Sequence, residues 1–228
     1  MRRAAALVAA ALPALLFPGV GSVAAQQERA LDILEGASAR YDAAHALCAN
    51  FVQHLSVPLL GEDKTGKGRL CQAQPNRFAM RFTDPPGDAV VVDGSWVWVY
   101  YPSLHPKQVM KFPMADAPGG YDLHREFLSD PGSKYTLTYE KQESVGGHPC
   151  HRIRLVPKQS ASFQAAVVWV DVADSLLRQV RVESENGSVR TLTLADVVLN
   201  PDVPADFFTF TPPPGAEVIT PPGVGAGR

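Results

Sequence analysis

The chain has 228 residues, 21 Lys and Arg against 23 Asp and Glu for a formal net charge of −2, and 46% of its residues are apolar. That length and apolar share are enough for one sizeable core of the all-β or α+β kind without a second domain. The weakly acidic balance, with no concentrated basic run, argues against nucleic acid as a partner.

The first segment reads as a secretory leader. Arg2 and Arg3 precede an apolar run from Ala4 to Phe17, and the small residues Val23-Ala24-Ala25 come just before Gln26. The run is broken by Pro13 and Pro18 and falls short of the roughly 20 residues a bilayer span needs. Residues 1–25 are therefore expected to be removed, leaving a single domain over 26–220 and a disordered tail over 221–228. No cysteine precedes Cys48, so this leader does not end in a cysteine that could be lipid-modified. The expected state is a soluble periplasmic monomer.

From Gln27 to about Cys48, Ala30, Leu31, Leu34, Ala37, Ala44 and Leu47 recur at helical spacing, predicting one amphipathic helix with a weak point at Gly36. After Ala49 the pattern changes to short strands separated by turn residues. Eleven are predicted, over 49–58, 65–73, 77–83, 88–93, 96–101, 107–112, 134–141, 150–157, 165–171, 177–184 and 188–199. Asp93-Gly94, Gly146-Gly147 and Asn186-Gly187 supply the positive φ of tight hairpins, so consecutive strands should pair antiparallel.

The stretch from Pro75 to Pro102 is the richest in bulky apolar residues. Alternation puts Phe78, Met80 and Phe82 on one face of a strand and Trp96, Trp98 and Tyr100 on one face of another. A curled, incompletely closed sheet lined by such side chains leaves a cavity suited to an acyl chain, although small barrels are also often packed solid. Between Gly119-Gly120 and Pro131-Gly132, residues 121–128 predict a short helix that either folds over the sheet as a lid or simply connects strands. As a lid it would turn Leu123, Phe127 and Leu128 inward. Phe207, Phe208 and Phe210, after a proline-bounded turn, are expected to plug an end of the core.

Chemistry is sparse. His148-Pro149-Cys150-His151 tempts a metal reading, but strand parity turns His151 away from the other two, and zinc wants about four convergent ligands. There is no nucleophile elbow, His-Glu-x-x-His or phosphate loop. No metal, cofactor or enzymatic activity is expected. Asp84, Asp88 and Asp93 sit among Pro and Gly, where Asp usually serves turn geometry. Of Cys48, Cys71 and Cys150, an odd count that allows at most one internal bridge, Cys48 and Cys71 bracket the first hairpin and are the preferred pair. Three buried thiols are the other reading.

A leading helix, Asn50-Phe51-Val52-Gln53, Gly66-x-Gly68, Pro75-Asn76-Arg77-Phe78, Asp93-Gly94, Trp98-Val99-Tyr100-x-Pro102 and Phe208-Thr-Phe-x-Pro-Pro follow one another in an order that resembles the LolA-type periplasmic carriers of outer-membrane lipoproteins. The resemblance covers residues 27 to 220. It implies an open, curved antiparallel half-barrel of about eleven strands, covered by an N-terminal helix and a short helical lid. It also implies a cavity for the acyl chains of triacylated lipoproteins, received from an ATP-driven inner-membrane ABC transporter and passed to an outer-membrane acceptor. Candidate cavity residues are Leu47, Phe51, Phe78, Met80, Phe82, Val90, Val92, Trp98, Tyr100, Met110 and Phe112, with Leu123, Phe127 and Leu128 on the lid. Where the family has an arginine that latches the lid, this chain has Gln74. A lipid-sensing regulatory module of the same fold and, further off, a β-barrel hydrolase are the rival readings.

Overall fold

The computed structural model describes residues 22–116 and 123–220. Helix α1 (Val23–Asp42) is followed by strands β1 (Ala46–Val57), β2 (Glu62–Ala73), β3 (Arg77–Asp84), β4 (Pro86–Asp93), β5 (Trp96–Tyr100) and β6 (Gln108–Pro113). Two short helices, α2 (Leu123–Phe127) and α3 (Pro131–Lys134), lead into β7 (Tyr135–Val145). Then come β8 (His148–Pro157), β9 (Ala165–Asp171), β10 (Leu177–Glu183), β11 (Val189–Leu199) and β12 (Glu217–Ile219).

All twelve strands join one open, curved sheet in the order β12-β6-β5-β4-β3-β2-β1-β11-β10-β9-β8-β7. Neighbours in sequence pair antiparallel from β1 to β6 and again from β7 to β11, as the turn residues predict, and Gly94, Gly146, Gly147 and Gly187 do carry positive φ. The one long-range antiparallel ladder joins β1 to β11 and brings the two halves of the chain together. β12, a strand the sequence pattern did not reveal, adds to β6 in parallel. The sheet ends at β12, beside β6, on one side and at β7 on the other, so β6 and β7 do not pair with each other, and α2 and α3 lie between them in the chain.

α1 packs on β7, β9 and α3 and buries Ala30, Leu34, Ala37 and Tyr41. It ends at Asp42, six residues before the predicted Cys48. Residues 46–48 pair with β2 there and Leu47 and Cys48 also with β11, and tertiary pairing outweighs the helical spacing of Ala44 and Leu47. The helix runs unbroken through Gly36, where an added Cβ would meet nothing within 4 Å. Cys48 and Cys71 face each other across β1 and β2 and form a disulfide, while Cys150 is a buried free thiol. Burial raises the Cys150 thiol to about 11.

The sheet has two apolar faces. The inner face carries the main core, which includes Leu47, Phe51, Phe82, Val92 and Leu128. On the outer face Ala46, Cys48, Cys71, Ala79, Ala89 and Val91 are covered by Phe208, with Val203, Phe207, Phe210 and Trp98 around it. The C-terminal phenylalanines therefore roof the outer face rather than plug an end of the core. Arg81 holds them in place by donating to the carbonyls of Phe207 (3.1 Å) and Thr209 (2.7 Å). Residues 1–21 of the expected leader 1–25, Gly119-Gly120, Tyr121 and the expected tail 221–228 lie outside the described residues.

Candidate lipid-binding cavity

Register decides what faces inward. Directly paired residues share a face, so one inner row crosses Leu70, Met80, Val90, Val99 and Met110, and the next crosses Phe78, Val92, Val97 and Phe112. Between these rows and the opposite half of the sheet lies a cavity of about 480 Å³. Phe78, Met80, Val90, Val99, Met110 and Phe112 form one wall, and Leu55, Val180, Val182 and Leu192 the other. Leu123 and Phe127 of α2, with Phe163, close it on the side of the unpaired strands. Phe127 and Leu128 are fully buried, and the Phe127 ring lies 5.9 Å from that of Phe163.

Of the residues singled out in the sequence, Phe78, Met80, Val90, Met110, Phe112, Leu123 and Phe127 line this cavity. Phe51, Phe82, Val92 and Leu128 are packed in the inner core beside it, Phe51 edge-on to Phe82 at 4.9 Å. Leu47 is also core, but lines a separate depression of about 340 Å³ near the C-terminal end of α1.

Trp98 and Tyr100 are on the opposite face. The row through Cys48, Cys71, Ala79, Val91 and Trp98 is the outer one. Trp98 packs on Phe210 and donates its indole N–H to Asp93 at 2.9 Å, while the Tyr100 hydroxyl donates to the Pro106 carbonyl. Both faces of β5 are apolar, and the smaller Val97 and Val99 are the ones turned inward. Asp93 also accepts from the N–H groups of Ser95 and Trp96. Burial alone would raise its carboxyl, but the bonds from Trp98, Trp96 and Ser95 outweigh it and hold the group below the usual carboxylate range.

The hydrogen bonds of Gln74 go to the turn after α1 rather than to α2. Its amide donates to the carbonyl of Ala44 (3.0 Å) and, at 3.4 Å, of Asp42, in the turn between α1 and β1. On this side α2 is fastened by His124. Its ring stacks parallel on Tyr41, centroids 5.7 Å apart, and its Nε2 lies 3.2 Å from Ser38 Oγ and 3.3 Å from Asp42 Oδ1. Gln74 thus holds the segment carrying Asp42, one bond removed from the lid. On the other side, Lys134 donates to the Glu126 carbonyl (3.0 Å) and the Tyr135 hydroxyl lies 2.7 Å from Glu126 Oε1.

Reasoning from sequence missed several lining residues: Leu55, Val99, Phe163, Val180, Val182 and Leu192, and the polar Gln53, Ser162, Ser184, Ser188 and Arg190. Alternation from Phe51 through Gln53 to Leu55 was a usable signal. The facing of β10 and β11 depended on a pairing with β1 that no local pattern announces.

A family model described as outer membrane lipoprotein carrier protein LolA matches residues 42–211. The chain belongs to the LolA family. An outer-membrane lipoprotein carrier protein of Shewanella sediminis is 31% identical over 176 residues, covering 75% of this chain and 78% of the relative. One of Methylibium petroleiphilum is 28% identical over 191 residues, covering 83% and 89%. An uncharacterised conserved protein of Thermus thermophilus shares the fold with a TM-score of 0.55 at 15% identity, over 85% of this chain and 99% of that one. The fold expected of a LolA-type chain is thus the one observed, with one strand more than the sequence suggested. Among the described residues no helix is long and apolar enough to cross a membrane.

Proposed function

We propose that this LolA-family protein is a periplasmic carrier that holds lipoprotein acyl chains in the cavity under α2 and delivers them to the outer membrane without catalysing a reaction. The observation that carries this reading is an apolar cavity at the one place where the sheet is unpaired, closed by two apolar side chains of a short helix. A methylene takes roughly the 30 Å³ a water occupies in the liquid, so a cavity of about 480 Å³ has room for about one fatty chain. A triacylated cargo must therefore displace Leu123 and Phe127.

That displacement makes transfer reversible. Each buried methylene contributes about 0.8 kcal/mol, so a chain filling the cavity gains on the order of 10 kcal/mol. Re-exposing Leu123 and Phe127 gives back about 1.5–3 kcal/mol each, and the lid's hydrogen bonds add to the opposing side. Cargo would arrive from an ATP-driven inner-membrane transporter and leave to an outer-membrane acceptor.

The test is release of a triacylated lipoprotein from inner-membrane vesicles supplied with the transporter and ATP. The mature protein is expected to bring cargo into solution, and Phe78→Glu, which puts a charge in the cavity wall, to reduce release at least tenfold while keeping the strand content. A wild-type protein that releases nothing contradicts the carrier reading. Normal release by the variant removes Phe78 from the site.

A further inference from the structure

The cavity is not uniformly apolar. One inner row of the sheet runs through Leu137, Leu155, Ala166, Val182, Arg190, Leu55 and Lys64, each directly paired with the next. Arg190 therefore sits on the same face as fully buried Leu155, with Leu55 between it and Lys64. Arg190 lines the cavity together with Gln53, Ser162, Ser184 and Ser188. The aromatic and aliphatic wall from Phe78 to Phe112 lies on the strands beyond them.

None of the ion pairs found among the described residues includes Arg190, although Arg152, Arg154, Arg178 and Arg181 all have carboxylate partners. Their partners are Glu140, Glu143, Glu183, Asp171 and Asp174, none of which lines the cavity. Lys64 pairs with Glu62 at 3.0 Å, half exposed. Ser188 donates its hydroxyl to Asn186 Oδ1 at 2.7 Å, and among the described residues that line the cavity Arg190 is the one that carries a full charge. A planar guanidinium at the rim of an apolar cavity, with Gln53, Ser162 and Ser184 also in its lining, is a donor for an oxyanion attached to an acyl chain.

We infer that the closed cavity binds a second class of ligand, a single-chain anionic amphiphile, with its carboxylate or phosphate at Arg190 and its tail against Phe78, Met80 and Phe127. The inference rests on the reading of the cavity as an acyl-chain site. A neutral diacylglyceryl anchor offers nothing for this charge, so Arg190 would distinguish the two cargoes. Size agrees: a cavity of about 480 Å³ takes one chain without moving the lid, and one chain is what such an amphiphile has.

The experiment is competition of three ligands with the same sixteen-carbon chain (about the length the cavity volume allows) against a fluorescent acyl probe on the mature protein at low salt. They are palmitate, lysophosphatidylglycerol and neutral monopalmitoylglycerol. At least one anionic ligand is expected to bind about tenfold tighter than the neutral one. Palmitate alone preferred assigns the site to carboxylates, lysophosphatidylglycerol alone to phosphates, and both to the shared charge. Arg190→Gln should bring the ratio to about one, and 0.5 M salt should shrink it, because an exposed guanidinium is screened. Equal affinity of all three for the wild-type protein overturns the anionic site but leaves the acyl-chain cavity standing. Failure of every ligand to displace the probe overturns both.

Discussion

Asp171 and Arg178 are charged side chains withdrawn from water, at 2% and 7% exposure. The pair holds because Arg178 Nε donates to Asp171 Oδ2 at 2.8 Å, while Ala173 N–H and His148 Nδ1 complete the carboxylate's shell. Burial would raise the Asp171 carboxyl, yet the Ala173 N–H and the Arg178 guanidinium more than offset it and hold the group below its ordinary range. A folded value depressed in this way gives stability that is complete above the unfolded value of about 3.9 and is lost as pH falls through the folded one. Asp171→Asn should therefore cost about 3 kcal/mol near neutral pH, with the gap to wild type closing below about pH 4, as chemical denaturation across pH would show. Side-chain facing is also where the sequence was most and least legible. Phe78 and Met80 were placed inward because Ala79 and Arg81 leave only one bulky apolar face on β3. Trp98 and Tyr100 were misplaced because Val97 and Val99 are apolar too, and size is no guide when both faces of a strand are covered. The roof over Trp98, built by Phe208 and Phe210 more than a hundred residues away in sequence, leaves no local trace on β5.

Helix α2 is only five residues long and cannot hold its own shape, since isolated helices shorter than about 12 residues are marginal in water. Its position comes from outside: His124 against Tyr41, Ser38 and Asp42 on α1, and Glu126 against Lys134 and Tyr135. Removing the first of these fastenings should loosen the lid without emptying the core. His124→Ala is expected to speed dissociation of a bound fluorescent fatty acid about fivefold, measured by stopped flow, for a loss of about 1 kcal/mol in lid closure. An unchanged rate would mean that the Phe127 contact alone sets the closed state. All eleven strands read from alternation and turn glycines are present within a few residues. β12 escaped because a three-residue strand pairing in parallel with a distant partner has neither a hairpin turn nor an alternation long enough to register. His124 escaped because a histidine on a short amphipathic helix looks like an ordinary polar face until α1 is laid beside it.

The whole molecule is one sheet whose two halves meet at β1 and β11 and whose far sides, β6 with β12 and β7, stay apart. The segment bearing α2 follows β6 directly and precedes β7, so the chain itself places a short, weakly self-sufficient helix at the one unpaired seam. Sequential hairpins made the sheet legible; its incomplete closure was suggested by the many bulky apolar residues of 75–102 and by the family resemblance, while nothing in β6 or β7 states that they do not pair. Exchange of lid for cargo at this seam is the physical basis proposed for carrying and releasing lipid. Hydrogen exchange over residues 123–135, with and without a bound triacylated lipopeptide, probes it directly. The amide of Leu128, bonded to the His124 carbonyl at 2.9 Å in the closed form, should exchange at least tenfold faster with lipid bound. Protection that is unchanged or increased there while the cavity is occupied would contradict displacement of the lid.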